Sequence, residues 1–213
     1  MYKALLALPL LALPTWAFCA SSVELAVAGL ITPAACTPVL SSNGVVDFGK
    51  ISQQDLNQDR GTRLPSRDLE LTLSCNGPVR VALRMRDNRD GTATVNSEIY
   101  YGLNLDPSGN RIGLYSVIFD PARTQVDGIS EVYGTESTTN GMAWRSANRN
   151  PIDIGARSYL GFTDIGGSTA GPAAFTSLNS TLKLEAVLNA KQNLDLSTEV
   201  ALDGSATLEV IYL

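Results

Sequence analysis

Apolar residues recur at every second position along much of this chain. Val23, Leu25, Val27, Gly29 and Ile31 form the first such row, with Glu24, Ala26 and Ala28 between them. Side chains of an extended chain point alternately to opposite faces, so residues 23–31 predict a ribbon with one apolar edge. Gly29 leaves a gap in that edge where another group can approach closely. Leu69, Leu71 and Leu73 alternate within residues 67–75. Val79, Val81, Leu83 and Met85 alternate with Arg80, Ala82, Arg84 and Arg86. These predict two strands joined by a turn at Asn76-Gly77-Pro78. Residues 101–105 and 112–119 flank Asp106-Pro107-Ser108-Gly109-Asn110 and predict a hairpin. Residues 120–157 are polar and read as long loops with short strands, such as 129–133. Residues 159–162 are short and apolar, and 163–172 form a Gly-rich loop. Leu182, Leu184, Ala186 and Leu188 alternate again. Val200, Leu202, Ala206, Leu208, Val210 and Tyr212 continue in strand fashion past an Asp203-Gly204 turn. No stretch carries a useful helical period, so the expected fold is all-β.

The first 20 residues follow a different rule. Lys3 precedes an apolar run from Ala4 to Leu13, which is too short to span a bilayer as a helix. Ala17-Phe18-Cys19-Ala20 follows, and the whole reads as a secretory signal peptide cut near residues 19–20. Trp16 and Phe18 are too bulky for a lipoprotein processing site before Cys19. The chain of 213 residues is 44% hydrophobic, enough for one sizeable core. Its formal net charge of −5 becomes −6 once Lys3 leaves (−5 − 1). Nucleic acid is therefore not an expected partner, because phosphate binding needs a basic patch. The chain has no histidine, so the commonest general base and metal ligand are missing. No catalytic residue, metal site or cofactor is expected. Asp87, Asp90, Asp106, Asp120, Asp127 and Asp153 read as turn residues. Arg84, Arg86 and Arg89 read as a solvated cationic face. Trp144, Arg145, Tyr133 and Tyr159 would suit a sugar site or simple packing. Asn179-Ser180-Thr181 matches a glycosylation acceptor that is common by chance.

The row Val23-x-Leu25-x-Val27-x-Gly29-x-Ile31 followed by Cys36 resembles the N-terminal extension and first strand of chaperone–usher pilins. The spacing of Cys36 and Cys75 is similar to that family's disulfide. Val45-Val46-Asp47-Phe48-Gly49-Lys50-Ile51 resembles its short strand after the first cysteine. The alternating C-terminus, Ala206 to Leu213 with Tyr212 in the penultimate place, resembles its last strand. The likeness covers the first third and last sixth of the chain, and extends to a group of pilin-like secreted proteins that includes GltF. It implies an immunoglobulin-like, pilin-type β-sandwich over residues 32–213, incomplete until a donor strand fills it. Residues 21–31 would be that donor extension, with Val23, Leu25, Val27, Gly29 and Ile31 entering a neighbouring subunit by strand addition. Leu208, Val210 and Tyr212 would be read by a periplasmic chaperone, and an outer-membrane usher would assemble the subunits. The implied role is a structural subunit of a surface fimbrium that contributes to adhesion. The middle of the chain departs from a compact pilin, with its excess near residues 120–180.

Export also bears on the cysteines. With Cys19 removed, an oxidising compartment makes Cys36 and Cys75 the natural pair, and two buried free thiols are the alternative. A bond closing about 40 residues is worth roughly 4 kcal/mol on the chain-entropy account. An alternative function remains at this point: a self-contained secreted binding module whose extension pairs inside its own sandwich.

Overall fold

The computed structural model describes residues 35–213. Strand β1 (Cys36–Leu40) and β2 (Thr62–Arg63) precede the long β3 (Arg67–Asp87). Then come β4 (Tyr101–Gly102), β5 (Gly113–Phe119), β6 (Thr124–Val126), β7 (Tyr133–Ser137), β8 (Ile152–Asp153) and β9 (Tyr159–Thr163). The chain ends with β10 (Ala174–Leu188) and β11 (Ala206–Tyr212). Only short 3-10 turns interrupt this series, so the described residues are all-β.

The strands pack as two antiparallel layers of an immunoglobulin-like sandwich. The first half of β3 lies between β1 and β10, and β10 passes on to β5. The second half of β3 lies between β11 and β9, with β7 beyond. One strand thus belongs to both layers. The sequence predicts two strands here and a turn at Asn76-Gly77-Pro78; the structure instead carries strand geometry through all 21 residues. The reason is phase. Leu69, Leu71, Leu73, Val81, Leu83 and Met85 are all odd-numbered and all buried, so the side-chain period of two is never broken at the corner. Opposite that corner, β10 skips register between Phe175 and Ser177, a bulge of the kind that bends a sheet.

Between the layers, Phe119, Phe162 and Phe175 stack in series, with centroids 5.0 and 6.1 Å apart. Tyr101 is fully buried, and its hydroxyl donates to the Ile154 carbonyl. Burial pushes that phenol's pKa far up, so it stays neutral and remains a donor. The predicted hairpin is present, closed by β4–β5 pairing and a Leu105–Arg111 bridge.

Other expectations shift. The strand predicted at 129–133 begins only at Tyr133; Ile129 makes a single bridge to Val126. The pilin-like strand expected at Val45–Ile51 is irregular chain, and the strand after the first cysteine is β1 itself. Gly44 and Gly49 take φ of +75° and +68°, and the Asp47 carboxylate accepts the Gly49 N–H, so the segment turns rather than extends. Asp153 sits in β8, not in a turn; burial raises its pKa, with a hydrogen bond involving Ser116 opposing the shift and the Glu185 charge adding to it. The cationic face is solvated, as expected, and also paired with carboxylates. Arg84 donates twice to Glu209, Arg86 lies 3.9 Å from the same carboxylate, and Arg89 forks onto Asp203.

Candidate functional site

A sandwich buries its inner faces only where each layer is complete. Along one side this one is not. Among the described residues β1 pairs with β3 alone, and so does β11, although they border the same gap. Between them lies an apolar cavity of about 260 Å³. Its floor is core: Leu69, Met85, Leu103, Tyr115, Val117, Leu182 and Leu184. One bank is Leu40 with Val46 and Phe48. The other is Leu202, Ala206 and Leu208. A second cavity of about 470 Å³ continues the first through Val46, Phe48 and Leu202, and reaches Ile51, Leu56, Leu194 and Leu196. The bank residues pack on the core yet remain only part-buried, as expected of a groove that no described segment covers.

Each bank is fixed by polar groups outside the groove. The Arg67 guanidinium lies over the Phe48 ring at 5.5 Å. On the far bank, the segment from Leu194 to Ser205 is pinned at two points. Asp106 accepts the Asp195 N–H at 2.6 Å, and the Ser108 hydroxyl donates to the Asp195 carboxylate at 2.6 Å. Hydrogen bonds from Ser108 and Ser197 pull the Asp195 pKa down to about 2. Nearer β11, Arg89 donates to both Asp203 oxygens at 2.7–2.8 Å, and Asn104 adds a third donor at 2.9 Å. The Arg89 contact, then Asn104, holds the Asp203 carboxyl below its usual range. Gly204 lets this bank lie flat, since a Cβ there would meet Leu103 and Tyr115 at 2.9 Å.

Cys36 and Cys75 are disulfide-bonded, which closes the alternative of free thiols. The bond fixes the start of β1, an edge strand of five residues, against β3. Leu208 and Val210 face the core from β11 and are part-buried. Tyr212 is about half exposed at the strand's end, and its hydroxyl accepts the Cys36 N–H at 2.7 Å. That contact closes one end of the gap. Val23, Leu25, Val27, Gly29 and Ile31 lie outside the described residues, as does the signal segment.

The aromatic residues considered for a sugar site serve packing. Trp144 lies against Gly161 and Gly171 and donates to the Gly141 carbonyl at 3.0 Å. Arg84 covers Tyr159, and Arg149 covers Tyr133. Among the described residues no group of three or more Cys, Asp or Glu side chains is placed to hold a metal. No helix there is long and apolar enough to cross a membrane. Sequence reasoning missed Leu40, Phe48, Leu202 and the Arg89–Asp203 pair as parts of one site. The signal for the last was Asp203-Gly204, legible as a turn but not as a tethered bank.

The fold and groove define a class: a disulfide-bonded all-β sandwich with one side open, among the described residues, between β1 and β11. Within that class the chain is similar to particular proteins. The family described as "Protein of unknown function (DUF1120)" matches residues 25–113. The uncharacterised protein YhcF of Escherichia coli (strain K12) is 25% identical over 222 residues, covering 91% of this chain and 92% of that one. Protein GltF of the same organism is 26% identical over 228 residues, covering 91% and 89%.

Proposed function

We propose that this chain is a structural subunit that polymerises by strand donation. Residues 23–31 of one copy would fill the β1–β11 groove of the next. The observation that carries the reading is the open apolar groove beside the edge of β11 that no described strand pairs. An extended strand supplies what such a groove lacks, namely backbone partners for the edge and alternate side chains for the cavity. Four of the five inward residues (Val23, Leu25, Val27, Ile31) are large and apolar, each worth about 1.5–3 kcal/mol when fully buried. Pilin-like assembly fits the same picture. A periplasmic chaperone would cover the groove after export, an usher would exchange it for the next subunit, and a surface fimbrium with an adhesive role would result. The role needs no catalytic group.

The alternative is a self-contained module whose own extension fills its own groove. Chain direction weighs against it. β1 leaves the Tyr212 end of the groove and β11 arrives there. A segment just ahead of Cys36 would lie in its own groove parallel to β11, whereas a neighbour's segment is free to run antiparallel, the slightly stronger pairing.

The test is an unboiled denaturing gel of chain purified from an oxidising periplasm, with and without residues 21–31. A ladder that collapses on boiling and vanishes without the extension is expected. A single monomer band, from a protein that also refolds reversibly without a chaperone, would establish the self-contained module instead.

A further inference from the structure

We infer that the free edge of β1 is closed to an incoming strand, so that a strand entering the groove ladders on β11 alone; this rests on the strand-donation reading above. The two edges differ in which backbone donors they offer. The Ser205 carbonyl accepts the Asn88 N–H at 2.9 Å, and the Leu213 N–H donates to the Arg80 carbonyl at 3.1 Å. Alternate residues of an antiparallel strand bond to the same neighbour. Thr207, Glu209 and Ile211 therefore bond to β3, while the backbone groups of Ala206, Leu208, Val210 and Tyr212 point into the gap. That edge offers four N–H donors in regular spacing.

β1 offers almost none. The Ala35 carbonyl accepts the Asn76 N–H, so Ala35 faces β3 and the next residue faces away. Cys36 does face away, and its N–H is taken by the Tyr212 hydroxyl at 2.7 Å. By the same alternation Thr37 faces β3 and Pro38 faces out, with no N–H to give. Leu40 alone retains an outward donor, and beyond it the chain turns away through Ser42 and Asn43 at φ of +51° and +53°. A strand laid against β1 would meet acceptors with one donor among them, which supports no reciprocal ladder. Tyr212 is thus a positioning residue with two effects. It occupies the donor of Cys36, and it ties the two banks together at the disulfide end.

The test is residue-resolved amide hydrogen exchange on the full chain, with and without excess synthetic peptide of sequence 23–31. The peptide is expected to slow exchange at Leu208, Val210 and Tyr212 at least tenfold and to leave Leu40 within twofold. Without peptide, Tyr212→Phe should speed exchange at Cys36 about fivefold, the worth of one modest hydrogen bond. Combining Tyr212→Phe with Pro38→Ala should open β1, and peptide should then protect the amides of residues 36 and 38. Protection of Leu40 in the unmodified chain matching that of β11, or no change at Cys36 in Tyr212→Phe, would overturn the inference while leaving strand donation standing. Peptide protection at neither edge would remove both.

Discussion

Truncating Leu208 should separate the stability of the subunit from its capture of a strand. Leu208 lies on the bank of the groove, part-buried, in register with Met85 of β3. Leu83, one ladder step along β3, is fully buried. Leu83→Ala removes a whole core side chain and should cost ~3 kcal/mol, within the range for buried leucine. Leu208→Ala removes a side chain that has left water only in part, and should cost ~1 kcal/mol in the free chain. A donated strand would cover Leu208 completely. The remainder of its burial is then lost from binding, ~1–2 kcal/mol, or about 5- to 30-fold in affinity. Leu83→Ala, already paid in both states, should leave affinity within about twofold. Urea unfolding gives the first pair of numbers, and fluorescence titration with labelled peptide 23–31 gives the second. If Leu208→Ala destabilises as much as Leu83→Ala and leaves peptide affinity unchanged, Leu208 is already covered by its own chain and the open groove is refuted.

Three further outcomes are expected. Gly29→Trp should block polymer growth while leaving a chaperone-bound subunit folded, whereas normal ladders on a gel would sink the donor role of residues 23–31. Replacing Cys36 and Cys75 together with Ser should lower unfolding stability by roughly 4 kcal/mol on the chain-entropy account; an unchanged urea midpoint would contradict it. Asp195 and Asp203 have lowered pKa values in the fold, so the stability they lend is present above the ordinary 3.8 and lost as pH falls below it, for Asp195 towards about 2. The urea midpoint should accordingly hold to about pH 5 and fall below about pH 4, and an Asp195→Asn chain with the same acid slope would argue against that latch.

Much of the sandwich is legible in the sequence because alternation is a direct trace of burial. β3, β5, β9, β10 and β11 all appear as apolar rows, and the hairpin at Asp106–Asn110 announces itself in turn residues. What alternation cannot carry is partnership. Val45–Ile51 has a strand-like composition but turns at its glycines, so it becomes one bank of a groove instead of a rung of a sheet. Likewise Val200 and Leu202 read as the start of the last strand, yet the Arg89–Asp203 fork holds them out of it, and β11 begins only at Ala206. The groove is a property of two segments some 160 residues apart in sequence, and nothing local in either announces the other. Tyr212 was legible as the penultimate residue of a last strand; its bond to Cys36 was not.

The long strand shared by both layers also sets an order of events in time. Thr72 of β3 meets Asn179 of β10, 107 residues later. The central pairing of the first layer therefore has to wait until most of the chain has been made, and β11 follows β10 in sequence. Topologies built on such distant pairings fold slowly. Throughout that delay the rows of leucine destined for the core face water, and the groove is among the last surfaces to acquire both its banks. A newly made chain thus has its longest exposure where it is stickiest, and apolar surface left open in this way is what makes a slowly folding chain prone to aggregate before it is complete.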